Sequence, residues 1–600
     1  MANSKYQRCP GGCRDPYAVS SRGAAGHGSL LSQGRRWSVW LALLTFLALG
    51  LGGEAAAQVS VTAPHGVVVA QETRAADIGL DVLKRGGNAV DAAVATGFAL
   101  AVTYPRAGNL GGGGYMLIHR AGGHRDVAID YRETAPAAAT RDMFLGADGE
   151  ADPRKSRDSA LAIGVPGTVA GLALAHARYG SGKFSLGELI APAIALARNG
   201  LPVEDDVAES LPGAARRLAR WPSAAKIFLK GGDGGALAPG EKLVQSDLAA
   251  TLEAIARSGP RAFYEGPIAE KLVAAVRAAG GIWTVDDLER YRPLLREPVR
   301  GHYRGYDIVS MPPSSSGGVV LIEMLNILEG FRAAELAGDD ALRAHLLVEA
   351  MQRAYADRAA YLGDPASVAA PLARLTSKAY AQRLRASIDP AHATAASAIH
   401  PDGASPHEGS NTTHFSVADR FGNAVSNTYT LNFSYGVGLV ADGTGVLLNN
   451  ELDDFAAKPG APNAYGLTGG DANAPGPGKR PLSSMTPTIV LKGGKPFLVT
   501  GSPGGSRIIT AVLQVISNVI DRKLALPEAV AAPRIHDQWS PDEIVVERGL
   551  AHELVGGLEA LGHTVREDLP RTSANSIMVT PRGLVGAADP RTRGAHAAGY

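Results

Sequence analysis

The sequence predicts an α/β chain in which a helical middle and a strand-rich C-terminal third feed one sandwich. Three observations carry this. Between about residues 160 and 400 the apolar positions recur at spacings near 3.6. After residue 411 they fall into short alternating runs punctuated by Gly, Asn, Asp and Pro. Neither half carries a boundary signal of its own. Hydrophobic residues make up 45% of the 600 and charged residues 20%, which supplies a sizeable core.

Residues 1–57 read as an export segment. Lys5, Arg8, Arg14, Arg22, Arg35 and Arg36 precede an uncharged apolar run at 37–51, and Ala55-Ala56-Ala57 offers a small-residue cleavage site. That run is shorter than the roughly 20 residues of a membrane-spanning helix; an uncleaved anchor is the alternative. The two cysteines, Cys9 and Cys13, both precede the site. The exported chain would have no disulfide and no thiolate chemistry, which suits a bacterial periplasm or exterior. The net charge of +1, with no polybasic block in the body, argues against a nucleic-acid partner.

In order, 67–71 reads as a strand and 73–85 as a helix stopped by Gly86-Gly87. Asn88, with Asp91 three residues on, caps a helix at 89–102 that is apolar all round and therefore buried. Gly111 to Gly114 lead into strands at 115–119 and 127–132. No Gly-Lys-Ser/Thr follows, so the glycines read as close backbone packing rather than a phosphate cradle. Helices are expected at 168–178, 186–198, 247–258, 268–279 and 341–361, interrupted by a strand at 301–310 and a Pro/Ser/Gly loop at 312–318. Residues 391–410 look exposed and mobile.

A hairpin follows. Residues 413–418 and 424–431 are β-rich, and 419–423 is turn chemistry. A turn centred on Phe421 pairs positions whose numbers sum to 842, which sets Thr412 opposite Thr430 on one face. Further on come a strand at 445–448, a polar segment at 449–455, a lid-like Gly/Pro loop at 459–478, strands at 488–491 and 496–500, the turn 501–507, a helix at 508–520 and two strands within 576–588.

Metal and serine-hydrolase signatures are absent: there is no His-Glu-x-x-His and no Gly-x-Ser-x-Gly. Thr412 is the candidate nucleophile. If the Asn411–Thr412 bond is cut, its own α-amine, with a pKa near 8, serves as general base for its hydroxyl. The competing reading is an ordinary β-branched strand residue. His414 points along the strand without alignment for proton transfer and reads as structural. Gly504 and Gly505, beside a helix start, offer amides for an oxyanion or simply make a turn. Arg132 suits carboxylate capture, or a surface ion pair; Glu451 and Asp454 suit an ammonium, or a solvated turn.

Together, 107–114 (Ala-Gly-Asn-Leu-Gly-Gly-Gly-Gly), 130–136 (Asp-Tyr-Arg-Glu-Thr-Ala-Pro), 164–171, 311–318, 354–365, 412–414, 448–455, 469–473, 480–485 and 501–510 resemble the γ-glutamyltranspeptidase family of N-terminal-nucleophile hydrolases, over nearly all of 60–600. The resemblance implies a four-layer αββα sandwich and self-cleavage into a large chain, 58–411, and a small one, 412–600. It implies Thr412 as nucleophile, tuned by Thr430, with Gly504 and Gly505 as the oxyanion hole. Arg132, Ser483 and Ser484 would take the α-carboxylate of a glutamyl group; Asn432, Glu451 and Asp454 its ammonium; Tyr465 falls in the lid. Glu451 stands where some bacterial members have glutamine. The implied substrates are glutathione and other γ-glutamyl compounds, with water, amino acids or dipeptides as acceptors and no cofactor or metal. Relatives on this fold also include cephalosporin acylases, and an exported binding protein without activity is the non-enzymatic alternative.

Overall fold

Helix Ala89–Thr103 is apolar on every side, so it has to lie between layers, and all 15 of its residues are buried. Asn88 starts it by accepting from the amides of Val90 and Asp91, while the Asp91 carboxylate takes the Asn88 N–H at 3.0 Å. Its Phe98 shares one core with Phe415, Val417 and Tyr429 of the predicted hairpin, and the Tyr429 hydroxyl donates to Gly97 O at 2.9 Å. Truncating Phe98 to alanine would cost about 3–5 kcal/mol.

The computed structural model describes residues 59–231, 235–338, 340–399, 411–458 and 470–600. The export segment 1–57 and Tyr465 lie outside the described residues. Ala57–Tyr600 is one unit.

Two seven-stranded sheets, antiparallel throughout, stack face to face. The first runs His596–Gly599, Gly66–Ala70, Asn411–Asp419, Ala424–Asn432, Gly113–His119, Val127–Tyr131, Leu294–Arg296. The second runs Ser60–Ala63, Gly583–Ala587, Ser576–Thr580, Lys495–Thr500, Thr488–Lys492, Tyr306–Ser310, Val299–Tyr303. Val67, Val69, Tyr115 and Leu117 of the first meet Val309, Ile489, Val499 and Ile577 of the second in an apolar layer. Helices Thr73–Lys84, Ala89–Thr103, Thr168–Tyr179 and Leu186–Asn199 cover the outer face of the first sheet. Helices Gly317–Glu329, Ala341–Tyr361 and Arg507–Ile520 cover the second. The order is therefore α, β, β, α, as expected.

Some details differ from the expectation. The single strand foreseen at 301–310 is a hairpin, Val299–Tyr303 and Tyr306–Ser310. Its two-residue turn puts Arg304 at φ 46° and Gly305 at φ 87°; arginine is not the asparagine or aspartate that normally announces such a turn. The unit Ile544–Glu547, helix His552–Ala560 and Val565–Asp568, whose two strands pair in parallel, was not foreseen. Within the supposedly mobile connection, residues 391–399 are tied down: Ala393 N–H donates to Leu561 O at 2.7 Å and Trp539 Nε1 to Ala396 O at 2.8 Å.

Candidate active site

Strand periodicity divides the hairpin into two faces. Phe415, Val417, Tyr429 and Leu431 point into the helix-side core. The other face carries Thr412, His414 and Ser416 opposite Thr430, Thr428 and Ser426, and it is hydrogen-bonded rather than greasy. Ser416 Oγ donates to Asn575 O at 2.9 Å, and Ser426 Oγ to Thr500 O at 2.9 Å. The register is the predicted one: Thr412 pairs with Thr430, and Thr412 Oγ1 donates to Thr430 Oγ1 at 3.5 Å. One step further the ladder slips. Asn411 pairs with Asn432, leaving Leu431 as the extra residue of a bulge. Asn432 takes φ 68°, a left-handed conformation that asparagine tolerates. The irregularity falls at the Asn411–Thr412 peptide itself.

Thr430 is held from several sides. Its Oγ1 accepts the Asn432 N–H at 2.8 Å, and its carbonyl accepts Asn109 Nδ2 at 2.8 Å. Asn109 Oδ1 accepts from Gly112 N at 2.9 Å and Thr168 Oγ1 at 2.7 Å. A Cβ on Gly112 would overlap the Thr430 carbonyl oxygen, and one on Gly114 the Thr428 carbonyl oxygen. The glycine run thus lets a strand lie flush against the hairpin, the close-packing reading. Asn109 was visible inside that motif but its role was not singled out.

Asn432 Nδ2 donates to Asn450 O at 2.9 Å, which leads to the ionic cluster. Arg132 is wholly buried. Its Nη1 donates to Glu451, its Nη2 to Asp454 Oδ2 at 2.5 Å, and its Nε to Pro481 O at 3.2 Å. Neither the surface ion pair nor the solvated turn describes these residues. Glu133, absent from the expected set, places its carboxylate 3.8 Å from Arg132 Nη1. Burial pushes the Glu133 carboxyl up to about 7, against the pull of Arg132. Burial likewise lifts Glu451 well above the usual carboxylate range. Burial also works against the charge on Arg132, but Glu451 and Asp454 outweigh it and hold the guanidinium firmly protonated. Crowding beside one guanidinium thus leaves Glu133 and Glu451 both shifted toward their protonated forms. Asn449 fixes the start of this acidic turn, accepting from Glu451 N and Gly164 N at 2.9 Å and donating to Gly111 O and Gly164 O at 2.8 Å.

Ser483 and Ser484 follow directly on the carbonyls that receive Arg132. Ser483 O accepts from Ser316 N and Ser316 Oγ, each at 2.7 Å. Ser484 Oγ accepts from Arg358 Nη2 at 3.4 Å. Gly504 and Gly505 have φ 131° and 61° just before helix Arg507–Ile520. A Cβ on Gly504 would meet Thr572 Cγ2 at 2.7 Å. Pro503 and Thr572 line a cavity of about 250 Å³ together with Thr412, Gln71, Tyr104 and Arg106, so the glycine turn borders the space into which Thr412 opens.

His414 is buried, with Nδ1 2.8 Å from Thr428 Oγ1 and Nε2 3.0 Å from Ser416 Oγ. Burial drives its pKa down to about 3. It braces the hairpin. Among the described residues, His345, Glu349 and His563 bring potential metal-ligand atoms within 4.8 Å of one another. These atoms already hydrogen-bond within the protein: His345 Nδ1 lies 2.7 Å from His563 Nε2, and Arg353 Nη1 donates to Glu349 Oε2 at 2.6 Å.

The γ-glutamyltranspeptidase family model matches residues 75–599. The glutathione hydrolase proenzyme of Escherichia coli K12 is 51% identical over 542 residues, covering 90% of this chain and 93% of the relative. A cephalosporin acylase structure from Bacillus halodurans superposes with a TM-score of 0.78 at 28% identity, over 92% of this chain and 98% of that one. A Helicobacter pylori γ-glutamyltranspeptidase chain gives a TM-score of 0.53 at 45% identity; it is 93% covered while spanning 55% of this chain, as a fragment of a processed precursor does. The Escherichia coli relative is named a proenzyme, and the γ-glutamyltranspeptidase structure is matched as a separate subunit fragment. With its matched length, its αββα sandwich and its central hairpin, this chain belongs to the γ-glutamyltranspeptidase family.

Proposed function

We propose that the enzyme hydrolyses glutathione and transfers its γ-glutamyl group through an ester on Thr412, after cutting itself before that residue. The observation that carries the reading is the Thr412–Thr430 pair set one step from a bulge at the Asn411–Thr412 bond. In the precursor, Thr412 Oγ attacks the Asn411 carbonyl, the C–N bond breaks, and water opens the resulting ester. This leaves large and small subunits, 58–411 and 412–600. The freed α-amine then takes the hydroxyl proton as Oγ attacks the γ-carbonyl of glutathione. The amides of Gly504 and Gly505 receive the oxyanion. The C–N bond breaks, the leaving nitrogen takes the proton, and Cys-Gly departs. Water or the amine of an amino acid or dipeptide resolves the ester.

The ionic cluster supports a free α-amino acid end over a glutaryl side chain. The substrate carboxylate takes Arg132, helped by Ser483 and Ser484. Its ammonium takes Glu451 and Asp454, with Asn432, and so sets a second cation beside the two acids that Arg132 meets. The 1–57 segment supports export to the periplasm or beyond; among the described residues no helix is long and apolar enough to cross a membrane.

The test is a denaturing gel with turnover assays. The wild type should run as two chains and release Cys-Gly from glutathione, and Thr412→Ala should stay one inactive chain. An uncut wild type removes the autoprocessing reading; faster turnover of a glutaryl-β-lactam than of glutathione moves the assignment to an acylase.

A further inference from the structure

At the far end of the hairpin from Thr412 lies a second, larger cleft of about 920 Å³, formed between turns of both sheets. This volume falls in the range of small-molecule sites. Its floor is the edge of the inter-sheet core: Ala418, Leu491 and Leu584, with Val579 packed against them. Phe421, 52% exposed, stands at its mouth on the hairpin turn.

The rim is cationic. Arg120, Arg125, Arg420 and Lys495 all line the cleft, and among the described residues none of the four has a carboxylate partner. Arg420 lies over the Phe421 ring at 4.9 Å and Arg120 over Tyr179 at 5.5 Å, contacts that leave their charge uncompensated. The two acids at the cleft are already committed. Asp126 meets His119 and Arg300, each at 2.7 Å. Asp419 accepts from the amides of Ala89, Phe421 and Asn423 at 2.8, 2.8 and 2.9 Å. Four cations from three different turns therefore line one trough, and neither of its two acids pairs with any of them.

We propose that this cleft is a second ligand site, and that it takes a small amphipathic anion: a carboxylate on an apolar body, of the medium-chain fatty acid kind. The head group sits among Arg125, Arg420 and Lys495, where guanidinium forks match a carboxylate. The tail lies along Ala418, Leu491, Val579 and Leu584. Neither half suffices alone, because exposed cations bind a hydrated ion weakly and the floor, where Ala418, Leu491 and Leu584 expose only 3%, 5% and 8% of their surface, offers little to a neutral chain without an anchor.

The experiment is calorimetric titration of the processed enzyme with decanoate at low ionic strength, with decanol and acetate as controls. Decanoate should bind at one site per molecule, at least about tenfold more tightly than decanol, and acetate should give no measurable heat. Arg125→Glu combined with Arg420→Glu should weaken decanoate at least about tenfold while γ-glutamyl hydrolysis stays at the wild-type rate, which certifies the fold. Lys495→Glu, in a different turn, should act in the same direction. Equal affinities for decanoate and decanol, or charge-reversed proteins that bind like wild type, overturn the site. So does binding seen only on anionic phospholipid vesicles, which would make the rim a membrane-facing patch.

Discussion

Thr430 Oγ1 receives two donors at once: the Thr412 hydroxyl at 3.5 Å and the Asn432 N–H at 2.8 Å. The second donor comes from the residue whose left-handed φ makes the bulge. The hydroxyl that faces Thr412 is therefore oriented by the same distortion that sets off the Asn411–Thr412 peptide. Thr430→Val keeps the shape and deletes the acceptor. It should slow both precursor cleavage and turnover by about 10- to 100-fold, the worth of one or two oriented hydrogen bonds. Band intensities over time and kcat for glutathione measure the two effects, and Thr430→Ser should restore most of each.

Under the proposed function Arg132 would carry a binding duty beside its structural one, and two substitutions separate them. Arg132→Leu strands Glu451, Asp454 and Glu133 without a counterion, and thermal or urea unfolding should show a loss of about 3–5 kcal/mol. Arg132→Lys keeps a charge but not the fork. The protein should fold, and KM for glutathione should rise about 10- to 100-fold with kcat less affected.

The buried acids make stability depend on pH in a defined direction. Glu133 has its carboxyl raised to about 7, so the folded protein holds a proton that the unfolded chain releases at the ordinary value. That contribution is complete below the unfolded pKa of about 4.5 and is lost as pH rises through about 7. Its share of the slope reaches about 1.4 kcal/mol per pH unit. Glu133→Gln should flatten the fall in melting temperature between about pH 5 and pH 8. A steeper fall would contradict the assignment.

Gly112→Ala tests the support of the hairpin from behind. The added methyl overlaps the Thr430 carbonyl oxygen, which is backbone and has nowhere to go. We expect a stability loss of about 1–3 kcal/mol and a larger proportional loss of cleavage, because the strand that carries Thr430 is pushed. The same substitution at Gly123, where a Cβ meets nothing within 4 Å but φ is 80°, should cost only the strain of the turn, about 1 kcal/mol, and leave cleavage intact.

Local signals read well where one physical rule dominated. The Asn88 cap, the all-round apolar helix behind it and the hairpin register each follow from one pattern of spacing, and the structure meets the expectation to within a residue or two. The Arg304-Gly305 turn was missed because its first residue is atypical for a positive φ. The acidic cluster was only half legible. Arg132, Glu451 and Asp454 carry charge that invites attention, but Glu133 simply follows Arg132 at a strand end, and Asn109 and Asn449 look like ordinary loop asparagines. What makes them matter is burial beside carbonyls more than 200 residues away, such as those of Thr430 and Gly164, and spacing along the chain does not encode that.

Both seven-stranded sheets draw strands from before and after residue 411. A cut before Thr412 would thus change the covalent graph and leave the ladder of interstrand bonds whole. Unfolding, however, would become a dissociation. Two fragments that folded as one molecule would have to find each other again, with a rate set by concentration and with neither able to complete a sheet alone. The mature enzyme would then be long-lived because its return path was removed by its own first reaction, and its persistence would be kinetic rather than a property of its folding equilibrium.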